Sequence, residues 1–158
     1  MARTPAQIHE ELAATFPEHV FSWDETAQCI IVPAAAIRDV SLQLRDAESY
    51  RFDVLMCLSG VDYNDGTLGV TYHLDSMVHR HKVTLKVIVA KDAPAVETVS
   101  RVWRTADWHE REAFDLYGIV FEGHDDLRRI LMPYDWEGHP LRKDYQVPEF
   151  YNGMKVPY

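Results

Sequence analysis

The residues most capable of chemistry crowd into one short stretch. Asp107, His109, Glu110, Arg111, Glu112 and Asp115 alternate with Trp108, Phe114, Leu116 and Tyr117. Carboxylate pairs such as Glu110/Glu112 or Glu112/Asp115 could perform acid–base work. His109-Glu110-Arg111-Glu112 superficially matches a zinc helix. Two histidine ligands must sit four apart to face one ion, however, and residue 113 is alanine. His79 and His81 would share a face if extended, although a solvated turn is the commoner place for such a pair. His124 and His139 each follow a glycine, where a ring nitrogen more often bonds a backbone group than a metal. A metal hydrolase built on His109, Glu112 and His124 is the enzymatic reading of these residues. The competing reading is a network of ion pairs. Arg111 and Asp115 are four apart and placed to pair along a helix. Glu112 shares a face with Trp108, and a half-buried carboxylate there would take Arg128 or Arg129 as its partner.

Redox chemistry has less to work with. Iron–sulfur clusters are normally held by four thiolates, and the chain has two cysteines, Cys29 and Cys57, each in an apolar run. They read as buried thiols of a reducing compartment. No Gly-x-Gly-x-x-Gly and no phosphate loop is present. The formal net charge of −9 repels phosphate backbones and anionic lipid, which argues against nucleic acid or a bare membrane surface as partner. The N-terminus lacks the apolar segment of a secretory signal, and no apolar run approaches the roughly 20 residues needed to cross a bilayer. A protein of cytosolic type is expected, held at any membrane by something else.

These groups must be positioned by one compact domain, since 158 residues at 47% hydrophobic suffice for a single core. Thr4-Pro5-Ala6-Gln7 carries a capping hydroxyl, a proline for the first helical position and a capping-box glutamine. Ile8, Leu12 and Phe16 recur four apart as the buried face of that helix, with His9, Glu10 and Glu11 in water. Phe21–Asp24 and Gln28–Val32 read as a hairpin. A second helix after Pro33 buries Ile37, Val40 and Leu44. Phe52–Tyr63 is almost continuously apolar, as a central strand is. After the turn signal Asn64-Asp65-Gly66, two alternating strands carry Leu68, Val70, Tyr72, Leu74 and Val83, Leu85, Val87, Val89. Helical patterns return over Ala95–Trp103 and Asp107–Tyr117, the latter opened by an Asp107/Glu110 capping box and closed by Gly118. The fold class is α+β, a two-layer sandwich of helices on a mixed β-sheet. Residues 1–121 form the core domain, and residues 122–158 form a loop and an extended C-terminal tail.

The tail has its own character. Pro133, Pro140, Pro148 and Pro157 forbid long helices and central strands there. Tyr134, Trp136, Tyr145, Phe150, Tyr151 and Tyr158 are nevertheless costly to leave in water, at roughly 25 cal/mol per Å² of apolar area. The segment should lie along a surface, stapled by its rings. That surface is either its own domain or a partner protein.

The run Glu110-Arg111-Glu112-Ala-Phe-Asp115-Leu-Tyr-Gly118, continuing through His124 to Asp126-Leu127-Arg128-Arg129 and then Trp136-Glu-Gly138-His139-Pro140-Leu141-Arg142-Lys143-Asp144-Tyr145, resembles the signature of the thirty-kilodalton subunit of respiratory complex I. The match is dense from Asp107 to Tyr145. Asp125 and Gln146 stand where that family usually has proline, a difference that touches loop rigidity. The resemblance implies a cofactor-free structural subunit of the peripheral arm of an NADH–quinone oxidoreductase. Flavin and iron–sulfur clusters would lie in other subunits, and electron transfer to quinone would drive ion translocation. It implies docking on the large quinone-site subunit of the same complex, with other peripheral-arm subunits nearby and the membrane reached only through the complex. The expected location is the cytoplasmic face of a prokaryotic inner membrane, or alternatively the stromal side of a thylakoid. Related NDH-type, hydrogenase and coenzyme-oxidising complexes share the module. On this reading Leu141, Phe150, Tyr151 and Tyr158 are apolar anchors, while Arg142, Lys143 and Asp144 make polar contacts with the partner. Arg128/Arg129 with Glu112/Asp115 set the direction in which the tail leaves.

Overall fold

A computed structural model describes residues 3–156. The first helix, α1, spans Pro5–Thr15, and Thr4 and Gln7 form the reciprocal capping box that their spacing predicts. Ile8 and Leu12 are buried. The opposite flank is drier than expected: Glu11 is half-buried and holds Arg3 and the Tyr50 hydroxyl. The His9 ring lies 6.1 Å from that of Trp23.

Strands β1 (Ser22–Asp24) and β2 (Cys29–Ile31) form the short hairpin, and α2 (Ile37–Asp46) follows a 3-10 turn at Ala34–Ala36. Three long strands come next, β3 (Val54–Asp62), β4 (Thr67–Asp75) and β5 (Lys82–Ala90). They complete a mixed sheet of order β1-β2-β5-β4-β3, in which only β2 and β5 are parallel. Val70, Tyr72 and Leu74 sit opposite Val87, Leu85 and Val83. These side chains join those of Ile8, Leu12, Ile37, Val40 and Leu44 in one core. Residues of the other face, such as His73, Thr84 and Lys86, keep contact with water.

Two expectations fail here. β3 is an edge strand rather than a central one. Its apolar run reflects cover by α3 (Ala106–Tyr117), and His109 Nδ1 accepts the Leu58 N–H at 2.9 Å. An edge strand whose outward amides meet a helix needs the same composition as one flanked by strands. Ala95–Trp103 is not helical: Ala95–Glu97 is a short strand, β6, paired in parallel with β7 (Val120–Glu122), and turns follow it. Because α3 connects β6 to β7, the three form a crossover unit. Three residues are too few for periodicity to tell a strand from a helical turn.

Past β7 the described residues contain no helix, in keeping with the prolines. Their one ladder pairs β8 (Phe150–Tyr151) with β9 (Met154–Lys155) across an Asn152-Gly153 turn with φ of 49° and 77°. Two successive positive φ values are what a two-residue hairpin of this twist demands.

Candidate functional site

α3 carries three charged residues into the interior, Glu110, Arg111 and Asp115. The expected capping box at its start is absent. Thr105 is the N-cap without a side-chain bond, because Glu110 points inward. There it accepts the Val99 N–H at 2.7 Å and the Thr98 hydroxyl at 2.5 Å. Burial pushes the Glu110 carboxyl up to about 7, against those two bonds.

Asp115 is treated in the opposite way. Its Oδ2 accepts three successive amides, Ile130, Leu131 and Met132, at 3.0, 2.7 and 2.8 Å, and its Oδ1 takes Arg129 Nη1 at 2.7 Å. Burial alone would raise this carboxyl. The amides and the guanidinium reverse that and hold it below the usual carboxylate range. Consecutive N–H groups aimed at one anion form a small nest, so the chain leaves the domain through a turn wrapped on Asp115.

The rest of the signature closes the C-terminal end of α3. A helix leaves its last carbonyls without partners. Here Asp115 O accepts Arg129 Nη1 and His139 Nδ1, Leu116 O accepts Leu141 N–H, and Tyr117 O accepts Arg142 Nε at 2.6 Å. Gly118 supplies the left-handed cap at φ 73°. Two guanidinium groups at this negative helix end are electrostatically favourable as well. Further along, Asp62 at the end of β3 accepts Lys143 N–H, Asn64 N–H and Lys91 Nζ, and Lys91 also reaches Asp144 at 2.8 Å. Burial opposes ionisation of Asp62, but these donors lower it to about 2.

Several sequence-level pairings therefore change. Arg111 does not pair with Asp115; it bonds the Arg128 carbonyl and packs its guanidinium 5.1 Å from the centre of the Trp108 ring. Glu112 is exposed, so it needs no arginine. Arg128 meets Asp126 at the surface, and of these two arginines Arg129 alone pairs with a carboxylate of α3. Arg142, Asp144 and the Lys143 backbone N–H bond within the chain, while the Lys143 side chain is exposed. Trp136 donates to Tyr145 OH and lies 5.0 Å from the Tyr151 ring, whose hydroxyl donates to Asp135. Pro140 is half-buried beside this unit. Leu141 and Phe150 remain largely in water. Tyr158 lies outside the described residues.

His109, Glu112 and His124 are not brought together as ligands. His109 Nδ1 serves β3, Glu112 faces solvent, and the enclosed His124 ring sits between the Asp107 carbonyl and the Asp126 amide. Among the described residues no three His, Cys, Asp or Glu side chains converge in metal-ligand geometry, and no helix is long and apolar enough to cross a membrane.

What remains unused is apolar. Among the described residues beyond Phe121 none is buried as a whole. Tyr134 is 94% exposed, Met154 65% and Phe150 57%, with Leu131, Leu141 and Val147 also in water. Asp62, Lys91 and the Asn152-Gly153 turn organise this surface. The turn is a strong local signal in the sequence, whereas the Asp62–Lys143 contact spans 81 residues and leaves no local mark.

Truncating Arg129 to alanine is expected to cost about 2–3 kcal/mol, because a buried carboxylate loses its counter-ion. Arg128→Ala should stay within about 0.5 kcal/mol, as exposed ion pairs do. Urea denaturation of the two variants side by side checks this; equal losses would mean that Arg129 does not brace α3.

Residues 30–151 match the family described as the 30 kDa subunit of respiratory-chain NADH dehydrogenase. The chain is 58% identical over 120 residues to an NADH-quinone oxidoreductase subunit of Chloroherpeton thalassium, covering 75% of this chain and 50% of that protein. It is 51% identical over 122 residues to the corresponding subunit of Chlorobium phaeobacteroides, covering 76% of this chain and 74% of that one. The chain thus spans about half the length of the first of these relatives. A solved trypsin-resistant fragment of Nqo5 has the same fold, with a TM-score of 0.62 at 25% identity, covering 79% of this chain and all of the fragment.

Proposed function

This chain belongs to the family of the 30 kDa subunit of respiratory-chain NADH dehydrogenase, and we propose that it is a structural subunit of the peripheral arm of an NADH–quinone oxidoreductase, with no redox centre of its own. It docks on the quinone-site subunit, at the cytoplasmic face of the membrane, and supports electron transfer to quinone by holding its neighbour in place.

The observation that carries this reading is the apolar side of the tail. Arg129, His139 and Arg142 and the Lys143 amide fasten the tail at the end of α3 and at Asp62, while Tyr134, Phe150 and Met154 face water with no role in that fastening. Large apolar side chains left in water on one short segment are what a protein partner would cover, and aromatic residues and methionine are enriched where partners meet. Two cysteines, one buried and one half-buried, fall short of the four thiolates that a cluster normally needs.

Replacing Tyr134, Phe150 and Met154 together with serine tests docking without touching the helix-capping bonds that removal of residues 134–158 would strip away. The variant should melt like the parent, while co-purification with the quinone-site subunit falls by about tenfold or more, as expected when interface anchors are lost. Undiminished capture would rule this surface out as the docking element.

A further inference from the structure

Glu110 is fully buried, and the groups around it are unusual in including no committed cation. On its own helix Asp107 lies one turn away and adds negative charge. From the segment after β6 come the Thr98 hydroxyl and the Val99 amide, with Ser100 behind Thr98. From β4 comes Tyr72, whose buried hydroxyl has no hydrogen-bond partner. From the start of the tail comes His124, its Nε2 3.8 Å from Glu110 Oε2 and 3.2 Å from Asp107 Oδ1. Arg111, next on the helix, is held by the Arg128 carbonyl and the Trp108 ring, and Arg38 and Arg101, which line a pocket with Thr98, are engaged by Asp39 and Glu97 and by Asp125.

His124 does not supply the missing positive charge in this arrangement. Its Nδ1 accepts the Asp126 N–H at 3.0 Å, so that nitrogen is unprotonated and the ring proton sits on Nε2, facing Asp107. A buried carboxylate with two neutral donors, a like charge beside it and no counter-ion does better by keeping its proton. The network accommodates that state: a protonated Glu110 donates to Thr98, which donates in turn to Ser100, and Val99 N–H is still accepted.

We propose that Glu110, with Thr98, His124 and Asp107, forms a proton-sensitive brace that joins α3 to the segment after β6 and to the first residues of the tail. The brace is tight while Glu110 holds its proton and loosens as that proton leaves near neutral pH. The sign follows from linkage. The folded chain keeps the Glu110 proton to higher pH than the unfolded chain, so the contribution of Glu110 to stability is full below the ordinary glutamate range near 4.5 and is lost as pH rises to about 7.

The test uses the full chain and does not involve docking. Carbon-13 titration of the Glu110 carboxyl by NMR should give a midpoint of about 7. The melting temperature of the parent should fall across that window relative to that of Glu110→Gln, which keeps the Val99 bond and has no carboxyl at 110 to ionise, while His139, whose pKa burial lowers, acts equally in both. Exchange protection of the Val99 and Ser100 amides, corrected for intrinsic pH dependence, should decline in the parent alone. A Glu110 midpoint in the ordinary range would overturn the proposal whether or not the glutamine variant folds, and so would the same pH slope in both proteins.

Discussion

Asp115→Ala should lose about 3–5 kcal/mol of stability, the scale on which an uncompensated buried charge is felt. Four donors would be stranded at once: the amides of Ile130, Leu131 and Met132, and the Arg129 guanidinium. Each unsatisfied buried group carries its own desolvation cost of about 1–3 kcal/mol. The turn at 130–132 would relax toward water to recover part of this. The loss should therefore appear in two measurements. Urea unfolding would show the fall in stability, and trypsin would cut sooner after Arg128, Arg129 and Arg142 than in the parent at equal folded fraction. If Asp115→Ala unfolds more easily but its arginines stay protected, the carboxylate supports the core without holding the tail. Asp115→Asn is the milder companion, since one oxygen persists, but its amide group would face N–H donors and still leave Arg129 without its anion.

Much of the fold could be read from residue order alone because the determining contacts are local. The Thr4 capping box, the α2 stripe of Ile37, Val40 and Leu44, the Asn64-Asp65-Gly66 turn and the Gly118 stop all depend on neighbours within one turn of chain. The misreadings share a different cause. β6 is three residues long and takes its identity from pairing with Val120–Glu122, more than twenty positions away. Glu110 fits a capping box by spacing, yet Thr98 and Val99 draw it inward, and nothing near Glu110 in sequence announces them. Arg111 and Asp115 have the right separation to pair along a helix. A nest of three amides and a better-placed arginine offer Asp115 more than one i,i+4 bond would, and that competition is invisible without the tail in place.

The same distinction explains the signature. Arg142, Lys143 and Asp144 read as contacts with a partner, whereas Arg142 and the Leu141 and Lys143 backbone amides bond within the chain. Arg129, His139, Leu141 and Arg142 finish one helix end, while Lys143 and Asp144 reach the Asp62–Lys91 pair. An arginine or aspartate of this run can thus serve orientation inside the chain. The apolar side chains it presents, at Tyr134, Phe150 and Met154, then become the surface offered outward. Arg129, His139 and Arg142 hold the tail's backbone to α3, and these apolar side chains take no part in that fastening. A neighbouring subunit would cover them.

Gly118→Ala is the second substitution with a large expected effect, about 3 kcal/mol, and its cause can be divided by experiment. A β-carbon in the left-handed region costs about 1–2 kcal/mol for backbone reasons alone. The remainder is steric: at φ 73° the new methyl would lie 2.5 Å from His139 Nε2 and 2.7 Å from Arg142 Nη2. Both side chains would have to withdraw, and with them would go bonds to the Asp115 and Tyr117 carbonyls, each worth about 1 kcal/mol. If the steric share is real, trimming the histidine should relieve it. Gly118→Ala/His139→Ala should then be less destabilised than the sum of the two single variants, by about 1 kcal/mol, the coupling expected of groups that collide. Additive losses in urea denaturation would mean that the His139 ring yields at no cost and would leave the effect to the backbone and to Arg142.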